Sequence, residues 1–346
     1  MKELLKELCL ETGIPGREQK IIDIMLRELK ETCDEVLVDP IGNAIGVKKS
    51  LKKDAKTLMI AGHMDEIGFV VSHIDKNGFI RFSPRGGHVG RVLISQRVQI
   101  VGKKNKVIGI VEGSPAFLDA EGRGKVPEFK HMFIDTGLNL KELSKLVEVG
   151  DPIVMCGDFI EQGQNYISKA FDNRVGCYMV LEAMRRLEKK KLNINVLAVG
   201  TVQEEVGCRG AKTASSTYTP DLGIALDVTA AFDTPGVAEH EQVSKLGSGV
   251  AIKINDQGTI SNHGIVEHLK DLAKKNKIKF QTEILPFGGT DASGMQLFGK
   301  GAVGTLSIPT RFVHSPNEII NKNDLEAGIK LLCKFIETAD KVQLLY

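Results

Sequence analysis

Tryptophan is absent from this chain of 346 residues, and tyrosine occurs only four times. The aromatic platforms that a carbohydrate cleft normally offers are therefore scarce. An excess of one charge sign is missing too. The 46 basic and 44 acidic residues leave a formal net charge of +2, so no bulk field draws the chain to nucleic acid or to a membrane. No run approaches the roughly 18 apolar residues that span a bilayer. The opening Met1-Lys2-Glu3-Leu4-Leu5-Lys6-Glu7-Leu8 reads as an amphipathic helix, not a signal peptide. The six cysteines (Cys9, Cys33, Cys156, Cys177, Cys208 and Cys333) form no C-x-x-C pair and no short framework. Reduced thiols in a cytoplasmic protein are the expectation, with Cys208, close to Glu204 and Glu205, read as a small packed hydrophobe in preference to a residue near a site. What remains is ordinary globular composition, 42% hydrophobic and 26% charged, with length for one large domain or two.

Hydrophobic periodicity predicts helices over 2–11 and 17–32, then strands over 35–38, 44–48 and 57–61. From about residue 68 the pattern turns to hairpins. Asp75-Lys76-Asn77-Gly78 separates strands over 69–74 and 79–82, and Gly102-Lys103-Lys104-Asn105 separates 97–101 from 107–112. Alternation of helix and strand resumes with a helix over 173–189 and continues through strands over 223–226 and 303–308 to a last helix over 323–342. The expected fold class is α/β, with one domain made of 1–67 and 163–346 and a β-rich domain over 68–162 inserted in it.

Metal-type ligands gather where these apolar strands end. His63 and Asp65 leave one strand, Glu204 and Glu205 follow another, Asp227 follows a third, and His314 comes after the run through Ile308. Asp172 opens a helix. Singly, each has a bland reading: an N-cap for Asp172, a hydrogen-bonded core histidine for His63 or His314, a turn cap for Asp227, a solvated pair for the glutamates. Together they form a set of imidazoles and carboxylates that suits Zn²⁺, Co²⁺ or Mn²⁺. A two-metal site needs one bridging carboxylate and about two more ligands per ion. Two His, Asp172, Asp227 and one Glu would fill it, leaving the other Glu as a general base. Neighbours in a regular strand face opposite ways, but at a strand exit Glu204 and Glu205 can take unlike roles. Asp291 reads equally as an Asx-turn residue or as support for the site, and Arg311 as facing the site or bracing its loop.

The segments Gly62-His63-Met64-Asp65-Glu66-Ile67-Gly68, Ala170-Phe171-Asp172-Asn173-Arg174, Gln203-Glu204-Glu205-Val206-Gly207, Leu226-Asp227-Val228-Thr229, Gly288-Gly289-Thr290-Asp291 and Arg311-Phe312-Val313-His314-Ser315-Pro316 resemble the M42 glutamyl aminopeptidase family, which includes the tetrahedral TET aminopeptidases. The resemblance runs in order along essentially the whole chain. It implies a mixed-sheet α/β/α catalytic domain with an inserted barrel-like dimerisation domain. It also implies that Asp172 bridges two ions, that His63 and Asp227 complete one site, and that Glu205 and His314 complete the other. Glu204 would be the general base, Asp65 would orient His63, and the Asp172-Asn173 peptide bond would be cis. Dimers building to a dodecamer are implied as well. Asn173 and His88 depart from the family pattern, where an acidic residue and a tryptophan are common.

The expected function is hydrolysis of N-terminal residues from short peptides, with two divalent ions per subunit and no nucleic-acid or membrane partner. The alternatives are an endoglucanase-type glycosidase, which needs two carboxyls about 5–10 Å apart across a sugar cleft, and a catalytically silent oligomeric scaffold.

Overall fold

The computed structural model describes residues 2–103, 105–113 and 127–345, so Lys104 of the second hairpin turn lies outside them. Helices α1 (Lys2–Leu10) and α2 (Gln19–Leu29) precede strands β1 (Glu35–Val38), β2 (Ala44–Lys48) and β3 (Thr57–His63). Six strands follow: β4 (Gly68–Ile74), β5 (Ile80–Arg85), β6 (Arg97–Val101), β7 (Lys106–Glu112), β8 (Phe133–Asp135) and β9 (Pro152–Met155), with short helices α3 (Gly90–Leu93) and α4 (Leu140–Leu143) among them. The rest comprises β10 (Ile160–Gln162), β11 (Asn165–Ser168), α5 (Phe171–Arg186), β12 (Asn195–Thr201), α6 (Arg209–Tyr218), β13 (Leu222–Ala230), β14 (Val250–Asn255), α7 (His263–Lys275), β15 (Phe280–Ile284), α8 (Asp291–Phe298), β16 (Ala302–Arg311), β17 (Glu318–Asn321) and α9 (Lys322–Thr338).

The larger sheet runs β1-β2-β12-β3-β13-β16-β17-β11-β10, with β14 joined to β16 and β15 to β14. Strands β12, β3, β13 and β16 are parallel, whereas β2 and β17 pair antiparallel to their neighbours. The parallel strands read as continuous apolar runs because both of their faces are covered. Leu58, Ile60, Val196, Ala198, Ile224 and Leu226 point to one face, into a core shared with α1, α2, α5, α7 and α9. Their alternates Met59, Ala61, Leu197, Val199 and Ala225 point to the other, against Ala214 of α6 and Met295 of α8. The result is the mixed-sheet α/β/α sandwich.

Strands β4 to β9 close into an antiparallel barrel in the order β4-β5-β8-β7-β6-β9, around Phe69, Val71, Ile80, Val98, Ile100, Ile134 and Ile153. Closure leaves these short strands no free edge. Strand β10, at the end of the segment expected to be inserted, pairs instead with β11 in the mixed sheet.

Two glycines set how closely α5 lies on the sheet. A Cβ on Gly62 of β3 would stand 2.5 Å from the carbonyl carbon of Gly176, and one on Gly176 would stand 2.3 Å from the carbonyl oxygen of Leu226. Only with hydrogen at both positions can the start of α5 sit over the C-terminal ends of β3 and β13. That is the end of the sheet where ligands bind in open α/β folds.

Candidate metal centre

Asp172 stands where α5 meets the sheet. Ala170 ahead of it is left-handed (φ 58°), Asp172 and Asn173 have non-helical dihedrals, and the peptide bond between them is cis, as the family resemblance implied. The Asp172 carboxylate does not cap the helix. Its Oδ1 lies 3.1 Å from Nε2 of His63 and its Oδ2 lies 3.2 Å from Nε2 of His314. Each oxygen faces a different imidazole.

The other expected residues fall around this carboxylate. His63, the last residue of β3, also lies 3.8 Å from Oδ1 of Asp227 and 3.7 Å from Oε2 of Glu204. Asp227 lies inside β13, not at its exit as the sequence suggested, because β13 continues pairing with β16 through Ala230 and Thr310. His314 Nε2 lies 3.3 Å from Oε1 of Glu205, an oxygen that makes no hydrogen bond of acceptable geometry. Two trios result, His63–Asp172–Asp227 and Asp172–Glu205–His314, in each of which the potential ligand atoms lie within 4.8 Å of one another. Asp172 belongs to both.

The electrostatics fit cations. Burial pulls the His63 imidazole down, yet Glu204, Asp172 and Asp65 hold it well above its ordinary value. Burial also pushes Glu204 and Asp227 well above the carboxylate range, opposed by His63 and reinforced by neighbouring acids. Asp172 is raised by burial, but the close His314 and His63 imidazoles outweigh this and hold it low. Acids crowded this closely cannot all ionise unless positive charge joins them, and bound dications reverse the local balance. Nitrogen and oxygen donors, a shared carboxylate and the unpartnered Glu205 oxygen suit two such ions.

The backbone N–H groups of Glu204 and Glu205 donate to Oδ1 and Oδ2 of Asp65, both at 3.0 Å. Asp65 thereby holds the turn that separates the two glutamates. His63 Nδ1 donates to the backbone oxygen of Asp65 at 3.1 Å and lies 3.5 Å from its carboxylate. Just ahead of the pair, left-handed Gln203 (φ 56°) breaks the strand direction, and its N–H donates to Glu18 at 3.1 Å.

Asn173 and His88, expected to differ from relatives, each have local partners. Asn173 donates from Nδ2 to the Leu226 carbonyl at 2.8 Å and accepts at Oδ1 from Gly176 N–H at 2.9 Å, a pairing no carboxylate could make on both sides. His88 stacks on Phe69 with centroids 4.1 Å apart and hydrogen-bonds the Gly68 carbonyl, and burial pushes it down to about 4, so it packs as a neutral ring. Arg311 braces its loop through a two-pronged pair with Asp233 at 2.8 Å. Asp291 accepts a hydrogen bond from the Thr201 hydroxyl, and Thr290, not Asp291, caps α8. Sequence reasoning missed Glu18 and Glu318, carboxylates without a motif of their own. The six cysteines are all free, and no helix among the described residues is long and apolar enough to cross a membrane.

Comparison with known proteins shows which family the chain belongs to. The model of the M42 glutamyl aminopeptidase family matches residues 42–331. The lysyl aminopeptidase of Pyrococcus furiosus is 34% identical, with 97% of this chain and 96% of that one covered. Among solved structures, an aminopeptidase of Desulfurococcus kamchatkensis superposes with a TM-score of 0.92 at 39% identity, covering 97% and 94% of the two chains. The Pyrococcus horikoshii TET1 peptidase, which can assemble into a tetrahedron or a large octahedral shell, superposes with a TM-score of 0.87 at 31% identity over 97% and 98%. Family match, full-length likeness and shared fold lead to one conclusion: the chain belongs to the M42 glutamyl aminopeptidase family.

Proposed function

We propose that this chain is a two-metal aminopeptidase that removes N-terminal residues from short peptides. The observation that carries the reading is the Asp172 carboxylate, whose two oxygens face His63 and His314 at 3.1 and 3.2 Å. In this reading Asp172 would be the ligand shared by two divalent ions, zinc, cobalt or manganese. His63 and Asp227 complete one site, and Glu205 and His314 the other. Such ions supply Lewis acidity toward the scissile carbonyl and the attacking water.

Glu204 belongs to neither ligand trio and is left with the proton. Its Oε2 lies 3.7 Å from Nε2 of His63, beside the ligand trios, a place that suits a group taking a proton from water and delivering it to the leaving amine. Asp65 contributes by fixing the Glu204–Glu205 turn through backbone hydrogen bonds and by orienting His63. We assign the catalytic unit to residues 1–67 and 163–346 and a dimerisation unit to 68–162. By analogy with the TET1 peptidase, the chain self-associates from dimers to larger closed shells in the cytoplasm.

The test is hydrolysis of an aminoacyl anilide and of a soluble glucan, each with and without chelator. Chelator-sensitive release of the anilide, restored by Zn²⁺, Co²⁺ or Mn²⁺, with no glucan hydrolysis, is the expected result. Glucan hydrolysis would favour the glycosidase instead.

A further inference from the structure

The two ligand trios are built on different supports. His63 and Asp227 lie within β3 and β13, where the sheet fixes their backbone. Glu205 and His314 lie on loops, and Asp172 lies at an irregular helix start. Phe312 and His314 are both left-handed, at φ 59° and 64°, so this loop has no regular ladder to hold it.

Glu318, the first residue of β17, is 1% exposed. Its Oε1 accepts the backbone N–H of His314 at 2.9 Å, and its Oε2 accepts the backbone N–H of Asp172 at 3.1 Å. One carboxylate therefore closes the His314 loop four residues back and ties it to the bridging residue. Glu205 is held in the same way by Asp65. Every member of the Asp172–Glu205–His314 trio thus has its backbone N–H on a buried carboxylate.

We propose that Glu318 is a positioning residue for the Asp172–Glu205–His314 cation site, setting its affinity by fixing the backbone of two of its three ligands. This inference rests on the two-cation reading above. Outer groups that orient ligands change metal affinity by about 10–100-fold. Glu318 fixes two of the three ligands of this site but only the shared Asp172 of the other, whose His63 and Asp227 are held by the sheet, so its loss weakens the Asp172–Glu205–His314 ion more than its neighbour. A residue that served only the fold would not separate them.

The experiment is calorimetric titration of chelator-stripped protein with Zn²⁺, with thermal melting in chelator to check the fold. Wild type is expected to take two ions per chain. Glu318→Ala should weaken one ion by about 10–100-fold and the other distinctly less. Glu318→Gln keeps one acceptor but turns an amide toward the second N–H, so its loss should be smaller and fall on the same ion. Should the alanine variant not fold, the isosteric glutamine variant decides. Two ions in wild type with unchanged affinities in the folded variants, or equal weakening of both ions, would overturn the inference alone. Fewer than two ions in wild type would overturn the two-cation reading and this inference with it.

Discussion

The thiol of Cys208 lies 3.1 Å from Oε1 of Glu204. A second acceptor, the Thr290 carbonyl, is farther away at 3.4 Å and already takes the Ser293 hydroxyl at 2.9 Å. Burial pushes the thiol far above its ordinary range, so it stays protonated and donates to the carboxylate. A thiol is a weak donor, so the bond contributes about 1 kcal/mol. Cys208→Ala should lower kcat by about fivefold with KM nearly unchanged, and Cys208→Ser, which keeps a donor, should recover most of it. Steady-state kinetics on an aminoacyl anilide reads the difference. Equal loss in both variants would point to packing alone.

Gly62 offers a test of how the fold sets the site. A Cβ there meets the backbone of Gly176 and Cys177 at 2.5 and 2.7 Å, and backbone cannot swing aside. Gly62→Ala should cost about 1–3 kcal/mol by prising α5 from β3. Asp172 moves with α5, so metal affinity should fall together with the thermal midpoint. A variant with wild-type melting and metal content would refute the close-approach argument.

Glu18 gives a pH signature at a residue outside both ligand trios. Its Oε1 accepts from Gly16 and Gln203 N–H at 2.9 and 3.1 Å, and burial, with the Asp65 charge, pushes it up to about 7. The folded value lies above the unfolded one, so the stability tied to the protonated form is complete below the unfolded value. It is lost as pH rises toward 7. Glu18→Gln keeps an oxygen for both bonds and never ionises. It should gain on wild type as pH rises from 5 to 8, reaching on the order of 2–3 kcal/mol. Paired thermal melts across that range check the sign, and a constant gap would contradict it.

Much of the fold was legible because periodicity maps directly onto layers. The apolar runs ending near His63 and before Glu204 are the parallel strands covered on both faces, and the Asn77-Gly78 hairpin opens the barrel. Of the candidate residues, His63 ends β3 and Glu204 and Glu205 follow β12, as strand exits suggest, whereas Asp227 lies inside β13 and Asp172 at the start of α5. Three features were not legible. The extension of β13 past Asp227 depends on pairing with β16, a contact between distant segments. The supports at Glu18 and Glu318 act through backbone N–H groups, which leave no side-chain motif. The proper reading of Asn173 required its partner, the Leu226 carbonyl, to be seen. For Glu318 a signal did exist, its place four residues after His314, but nothing in the sequence showed that it reaches Asp172 as well.

In the proposed division of labour Glu204 moves the proton while its neighbour Glu205 holds a cation. The decisive measurement is turnover of an aminoacyl anilide by Glu204→Gln at metal content matched to wild type. Two ions per chain and a fall in kcat of about 10²–10⁴-fold are expected. A fully loaded variant that keeps kcat within a few-fold of wild type would contradict that division.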